Sequence, residues 1–308
     1  MNTSAVVIEA PGTLTTRSVA LVAPGDADIV VEVEYSGIST GTERLLWNGT
    51  MPDFPGMGYP LVPGYETVGT VVEAGPSSGR SIGERVFVPG AHSFSDIRSL
   101  FGGAAATLVT AGSRTFPCAT PDPTEGALLA LAATACHAVK GDRAPELIVG
   151  HGVLGRLLAR VLIAQGRPAP TVWEINASRR EGDHQYPVCH PDDDEQTYST
   201  ICDVSGDSTI LDTAIARLNK GGEVVLAGFY DKPLQFAFAP AFMREARIRV
   251  AAEWQPSDMK QVMDLLHRDQ LSLANLITHQ YDATRADAAY HCAFSDPSCL
   301  KMILNWKH

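Results

Sequence analysis

The sequence has no Cys-x-x-Cys pair, no excess of basic charge and no apolar run long enough for a membrane span. Each absence closes off a class of function. Its six cysteines, at positions 118, 136, 189, 202, 292 and 299, lack both internal pairing and a histidine at metal spacing. They read as free thiols, small buried hydrophobes in a reducing cytoplasm, and not as a zinc knuckle or disulfide frame. A span needs about eighteen consecutive apolar residues, and none occur, so no membrane crossing is expected. The formal net charge of -11 repels phosphate backbones and anionic lipids, which argues against nucleic acid as a partner. The start, MNTSAVVIEAPG, has no basic region followed by an apolar block, so no secretory signal is expected.

What is present is enough chain for two ordinary domains: 308 residues, 45% hydrophobic and 19% charged. Up to about residue 120 the pattern is short β-branched or alternating runs (4–9, 28–35, 66–74, 85–88), punctuated by Pro-Gly and Gly-Pro turns. This predicts a β-rich barrel or partly open sheet. At 123–140, PTEGALLALAATACHAVK predicts a largely buried helix. Strand and helix then alternate: strands at 146–149, 171–175, 200–204, 223–228 and 247–252, and helices at 154–165, 209–218 and 259–268. That alternation is the mark of a doubly wound parallel sheet. Residues 276–308 add a short strand and an amphipathic helix that return to the first domain. The acidic stretch 192–195 reads as a solvated loop. The expected division is 1–122, 123–270 and 271–308.

ELIVGHGVLGRLLARVLIAQG carries G-x-G-x-x-G at Gly150, Gly152 and Gly155, after an apolar strand and opening a helix. Gly150 permits the tight turn, Gly152 removes a Cβ that would block a pyrophosphate, and Gly155 brings the helix close to the sheet. The helix N-terminus offers free N–H groups to phosphates. Glu174 lies nineteen residues after Gly155, at the end of the next strand, where it can accept hydrogen bonds from ribose hydroxyls. It would repel a 2′-phosphate, which favours NAD over NADP, although Arg179 and Arg180 follow closely. Ser205 and Gly206 at one strand end, Lys220-Gly-Gly222, and Gly228 at another strand end are small residues of the kind that line a dinucleotide crevice, or ordinary loop residues.

Taken together, YSGISTGTE (35–43), PGYETVGTVVEAG (63–75), GERV (83–86), FGGAA (101–105), the glycine fingerprint and LNKGGEVVLAGF (218–229) resemble the medium-chain dehydrogenase/reductase superfamily over nearly the whole chain. GISTGTERLLWNGTMPDFPGMGYPLVPGYE is similar to the bacteriochlorophyllide a dehydrogenase family of bacteriochlorophyll synthesis, which oxidises the 3-(1-hydroxyethyl) group of the macrocycle to acetyl. The resemblance implies a GroES-like β-rich catalytic domain joined to a Rossmann domain. It also implies an NAD-dependent alcohol dehydrogenase, a tetrapyrrole substrate, and cofactor contacts that include Val153, Leu154 and Thr134. A homodimer is expected by analogy, through an edge strand of the dinucleotide domain.

The zinc members of that superfamily use a Cys, a His and a third ligand. The matching positions here are Ser39, Tyr65 and, by rough alignment through Thr134, the neighbourhood of Ala130; the four-cysteine structural lobe is absent too. A hydroxyl, a phenol and a methyl do not make a zinc site, so no metal is expected. Side chains must then take the alcohol proton. Tyr65 is a candidate base or relay, but its reference pKa of about 10 is too high without help. Ser39, Thr40 and Thr42 are candidates for a hydroxyl relay. Glu66 is either catalytic or a structural partner for a buried Arg or the backbone. His92 and His137 have suitable pKa values, but nothing in the sequence places them at a cleft.

Residues 44–60, RLLWNGTMPDFPGMGYP, show neither helical nor strand periodicity and predict a loop whose apolar groups need a partner. Trp47, Met51, Phe54, Met57 and Tyr59 are either the wall for a large flat ligand or packed on the domain's own core or a dimer mate. Two readings stand beside the dehydrogenase: a zinc-free quinone or enoyl reductase using NADPH, and a non-catalytic dinucleotide-binding protein.

Overall fold

A computed structural model describes residues 1–52, 57–141 and 143–307. The chain divides into two compact units, Met1–Ala130 with Ala274–His308, and Leu131–Leu273.

The first unit is built on two sheets. One has four strands in the order Thr13–Ala20, Asn2–Ala10, Leu61–Pro63, Arg98–Leu100. The other runs His279–Asp282, Met302–Asn305, Asp28–Ile38, Thr67–Ala74, Arg85–Val88, Phe116–Pro117, with Thr107–Ala111 also paired to Asp28–Ile38. The C-terminal return is antiparallel: Met302 faces Ile38 and Asn305 faces Tyr35. Val6, Ile8, Ile29, Val31, Leu46, Leu61 and Leu304 are buried together in this core.

The second unit carries a six-stranded, wholly parallel sheet in the order Val188–Cys189, Thr171–Trp173, Leu147–Val149, Tyr198–Asp203, Leu218–Leu226, Arg247–Val250. Leu147, Ile148 and Val149 are buried on both faces, as a strand covered by helices on each side must be. The strand order reverses between Leu147–Val149 and Tyr198–Asp203, and ligands of open α/β sheets sit beyond the strand ends at such a reversal. The fold is the expected GroES-like plus Rossmann α/β architecture.

Four local expectations change. Residues 44–48 are helical, not loop: the helix Thr42–Asn48 buries Glu43, Leu45 and Leu46. It closes on Gly49 in the left-handed region, whose N–H bonds back to Leu46 O. Seven residues are too few to show a period. The helix expected at 123–140 starts as a 3₁₀ turn, Pro123–Leu128, capped by Asp122, and becomes α-helical over Leu129–Ala138. Lys220-Gly-Gly222 lies inside the strand Leu218–Leu226, where the pairing register shifts, and not before the strand. The C-terminal region contributes two strands, not one, around the helix Ala286–Ser295. Among the described residues no helix is long and apolar enough to cross a membrane.

Candidate active site

Pro63-Gly64 turns the chain out of a short buried strand, and Tyr65 follows half-buried, its ring edge-on to Phe101 with centroids 5.4 Å apart. Its hydroxyl lies 2.8 Å from Ser39 Oγ and 3.4 Å from Thr42 Oγ1. Ser39 directly follows the strand Asp28–Ile38, and Thr42 opens the next helix, so three hydroxyls from two segments converge. Burial first, and then the charge of neighbouring Glu66, pushes the Tyr65 phenol above its usual value. The phenol therefore stays protonated at neutral pH. It is suited to relay a proton and not to serve as a standing phenolate base.

Behind this trio lies a fully buried charge pair. Glu66 is paired with Lys301, not with an arginine; both side chains are almost completely shielded from solvent. Lys301 Nζ also donates to Ile38 O at 3.1 Å. Gly37 makes this possible, because a Cβ there would stand 2.4 Å from Glu66 Oε2 and 2.9 Å from Lys301 Cε. Among the described residues Glu66 Oε1 has no hydrogen-bond partner, and burial holds the carboxyl above the ordinary range while Lys301 opposes that rise. A second buried carboxyl, Glu43, accepts from Ser39 N at 3.1 Å and from the Tyr290 hydroxyl. Burial pushes Glu43 up to about 7. Glu43 stands out in the sequence, with Glu66, as an acidic position near the former metal site, whereas Tyr290 and Lys301 were missed. The available signal for Lys301 was a lone cation inside an apolar strand run, CLKMILNW.

The zinc positions implied by the superfamily resemblance do not fit a zinc ion. Two of them hold neutral hydroxyl groups bonded directly to one another, and Ala130, which is buried, has no donor side chain. His92 is exposed, and His137 bonds Asp258 Oδ2 at 3.0 Å. Of the residues proposed for a ligand wall, Met51 is in the core, and Met57 and Tyr59 pack against that core. Trp47 packs edge-on or tilted among Tyr290, His291 and Phe294, with the His291 ring centroid at 5.1 Å. Phe54 lies outside the described residues.

In the second unit the fingerprint has the geometry of a phosphate cradle. Gly150, at φ +101°, turns beside Ser205, and a Cβ on Gly155 would meet Gly150 O at 1.9 Å, whereas the space at Gly152 is open for 4 Å. A dinucleotide's pyrophosphate fits such an opening at a helix N-terminus, here that of Val153–Ala164. Val153 is buried beneath the turn, and Leu154 is half-buried beside it. Gly206 and Gly228 face each other: a Cβ on Gly228 would be 3.4 Å from Gly206 N. Thr134 is half-buried on the helix Leu129–Ala138.

Glu174 is tied down by two backbone donors, His151 N at 3.1 Å and Asn176 N at 2.8 Å, each taking one oxygen and leaving it further lone pairs. Arg180 turns away to Glu174 O and Ile175 O at 3.0 and 2.8 Å. His151, missed from sequence, is buried within the fingerprint and bonds Tyr186 OH at 3.0 Å. Burial and then Arg156 lower its pKa to about 3, so it sits in the cradle as a neutral ring.

Residues 25–119 match the alcohol dehydrogenase GroES-like domain. Over 311 aligned positions, spanning 100% of this chain and 99% of the relative, the sequence is 54% identical to 2-desacetyl-2-hydroxyethyl bacteriochlorophyllide A dehydrogenase of Rhodobacter capsulatus. The protein is a bacteriochlorophyllide dehydrogenase family member. The same named enzyme from Cereibacter sphaeroides is also 54% identical, over 100% of this chain and 99% of that one. Membership in the bacteriochlorophyllide dehydrogenase family makes the chain an oxidoreductase of the alcohol dehydrogenase type, associated with bacteriochlorophyll synthesis. An Escherichia coli CFT073 alcohol dehydrogenase, solved with NADH, shares the fold with a TM-score of 0.83 and 18% identity, covering 99% of each chain.

Proposed function

We propose that this protein oxidises the 3-(1-hydroxyethyl) side chain of a bacteriochlorophyllide to acetyl, using NAD and no zinc. The observation that carries the reading is the hydrogen-bonded trio of Tyr65, Ser39 and Thr42, in which Ser39 and Tyr65 stand where the superfamily resemblance puts zinc ligands. Oxidation of a secondary alcohol releases one hydride and one proton, and the dinucleotide, when bound, accepts the hydride. The protein's own task is the proton. A neutral Tyr65 accepts it from the substrate hydroxyl as it passes its own to Thr42 Oγ1, Thr42 releases its proton to solvent water beside the exposed Gly41, and Ser39 Oγ holds the phenol in place. Such a relay needs no phenolate, which suits a phenol whose pKa is raised. Glu66 and Lys301 hold the segment that carries Tyr65.

NAD is preferred to NADP in this account, because Glu174, at the strand end after the fingerprint, can accept from ribose hydroxyls and Arg180 is engaged with strand-end carbonyls. The solvent-facing edges of Trp47, Met57 and Tyr59, together with Phe54, are proposed as an apolar wall for the macrocycle. Six free thiols support a cytoplasmic location. A homodimer is supported by the sheet's edge strand Arg247–Val250, where Val250 is 72% exposed. Light scattering that reads a mass near 32.9 kDa, not twice it, would refute the dimer.

The test of function is incubation of purified protein with the 3-(1-hydroxyethyl) bacteriochlorophyllide and NAD or NADP. The acetyl product extends the macrocycle's conjugation, so absorption should move to longer wavelength as reduced cofactor accumulates, and faster with NAD. No turnover with either cofactor would leave a non-catalytic dinucleotide-binding protein. Reduction of an activated C=C by NADPH would favour the reductase reading.

A further inference from the structure

A second cluster of chemistry-bearing side chains lies in the C-terminal return. His279 begins the strand His279–Asp282, Cys292 lies on the helix Ala286–Ser295, and Asp296 ends that helix. One ligand atom from each falls within 4.8 Å of the others. His279 Nε2 and Asp296 Oδ2 are 3.8 Å apart, too far for a hydrogen bond. Zinc bonds of about 2.0–2.3 Å place neighbouring donors of a tetrahedron roughly 3.3–3.7 Å apart, so a slight closing movement would bring these donors around one ion.

The atoms around the cluster already aim the donors. Thr278 Oγ1 lies 2.9 Å from His279 Nδ1, receives Leu300 N at 2.9 Å and donates to Lys301 O at 3.4 Å. With its proton directed to Lys301 O, this oxygen accepts from His279 Nδ1–H, which leaves the lone pair on Nε2, toward the cluster. Metal-bound histidines are oriented through the far ring nitrogen in the same manner. Asp296 Oδ1 is occupied by Ser298 N and Oγ at 2.8 and 2.7 Å, which leaves Oδ2 facing His279. Asp296 N bonds Cys292 O at 2.9 Å, so the helix end fixes two of the donors relative to each other. All three residues are half-buried, which gives an ion a path in and leaves room for water as a fourth ligand.

We propose that His279, Cys292 and Asp296 form a structural site for one zinc-class divalent cation, separate from the Tyr65 trio, that staples the C-terminal helix to the neighbouring strand. The mixed nitrogen, sulfur and oxygen donor set selects a borderline cation over calcium or magnesium, which favour oxygen alone. The staple has a structural purpose. Thr278 N and His279 N both donate to Lys301 O at 3.1 Å, so the site bears on the segment that delivers Lys301 to Glu66.

Cobalt(II) tests this in the full-length protein, stripped of metal under reducing conditions. We expect one equivalent to bind, with tetrahedral visible bands and a thiolate-to-cobalt charge-transfer band, all displaced by zinc. Cys292→Ser should lose the charge-transfer band and bind at least tenfold more weakly, and His279→Gln should also bind at least tenfold more weakly while keeping that band. Cys299→Ser, which leaves the donor set intact, should behave as wild type. Absence of saturable cobalt binding by the wild-type protein would overturn the proposal, as would a charge-transfer band that survives in Cys292→Ser. Should Cys292→Ser fail to fold, the wild-type spectrum and His279→Gln still decide the matter.

Discussion

Ser39 Oγ and the Tyr65 hydroxyl stand 2.8 Å apart, joined by a hydrogen bond where zinc-dependent relatives of this superfamily hold a metal between thiolate and imidazole. In the proposed mechanism a proton path takes the place of the Lewis acid. Tyr65→Phe removes the phenol and keeps the ring on Phe101. Turnover should fall at least tenfold with the melting temperature nearly unchanged. Wild-type kinetics in the variant would assign the ring to packing.

The Glu66–Lys301 pair predicts an asymmetric stability effect. Lys301→Met strands a buried carboxylate and should cost about 3–5 kcal/mol in urea unfolding. Combining it with Glu66→Gln should recover part of that loss, because a neutral pair replaces a lone charge. A double variant that loses the sum of the two single effects would show that the residues do not act as a pair.

Glu43 gives the fold a pH dependence of definite sign. Its carboxyl is held at about 7 in the folded protein, against an ordinary value of 4.5. The folded state thus binds the proton more tightly than the unfolded one. The stabilising contribution is complete below about pH 4.5 and is lost as pH rises through 7, on the order of 3 kcal/mol. Glu43→Gln lacks this titration, so the stability of wild type relative to the variant should fall between about pH 5 and pH 8. A constant difference across that range would remove Glu43 as the source.

Glu174→Gln keeps the side chain's volume and removes its charge. The Kd for NAD should rise about tenfold, as expected for losing charge-assisted hydrogen bonds, and that for NADP should change less. Equal weakening of both cofactors would mean that Glu174 only supports the turn at His151 and Asn176.

The second unit was legible from sequence because its signals are local: an apolar strand, three glycines at fixed spacing and an acidic residue at the next strand end. The Ser39 and Tyr65 positions were legible through motifs that survive around a changed residue. Lys301 and Tyr290 were not, since they lie over two hundred residues from the carboxylates they touch. Periodicity in one segment carries no information about such a meeting. The segment 44–60 read as a loop because its helix has only seven residues, and Trp47 and Tyr59 meet partners in the C-terminal helix and the core. His279 and Cys292 are thirteen residues apart, outside the short spacings by which metal ligands are recognised in a sequence.

Metal content alone does not test zinc-free catalysis if the His279 site is filled. The direct measurement is turnover of the 3-(1-hydroxyethyl) bacteriochlorophyllide with NAD by protein depleted of divalent metal, compared with the same protein after zinc is restored. The account predicts full activity in the folded, depleted enzyme and no gain on adding zinc. Activity lost on depletion and recovered with zinc, while the Cys292→Ser variant remains fully active, would contradict it.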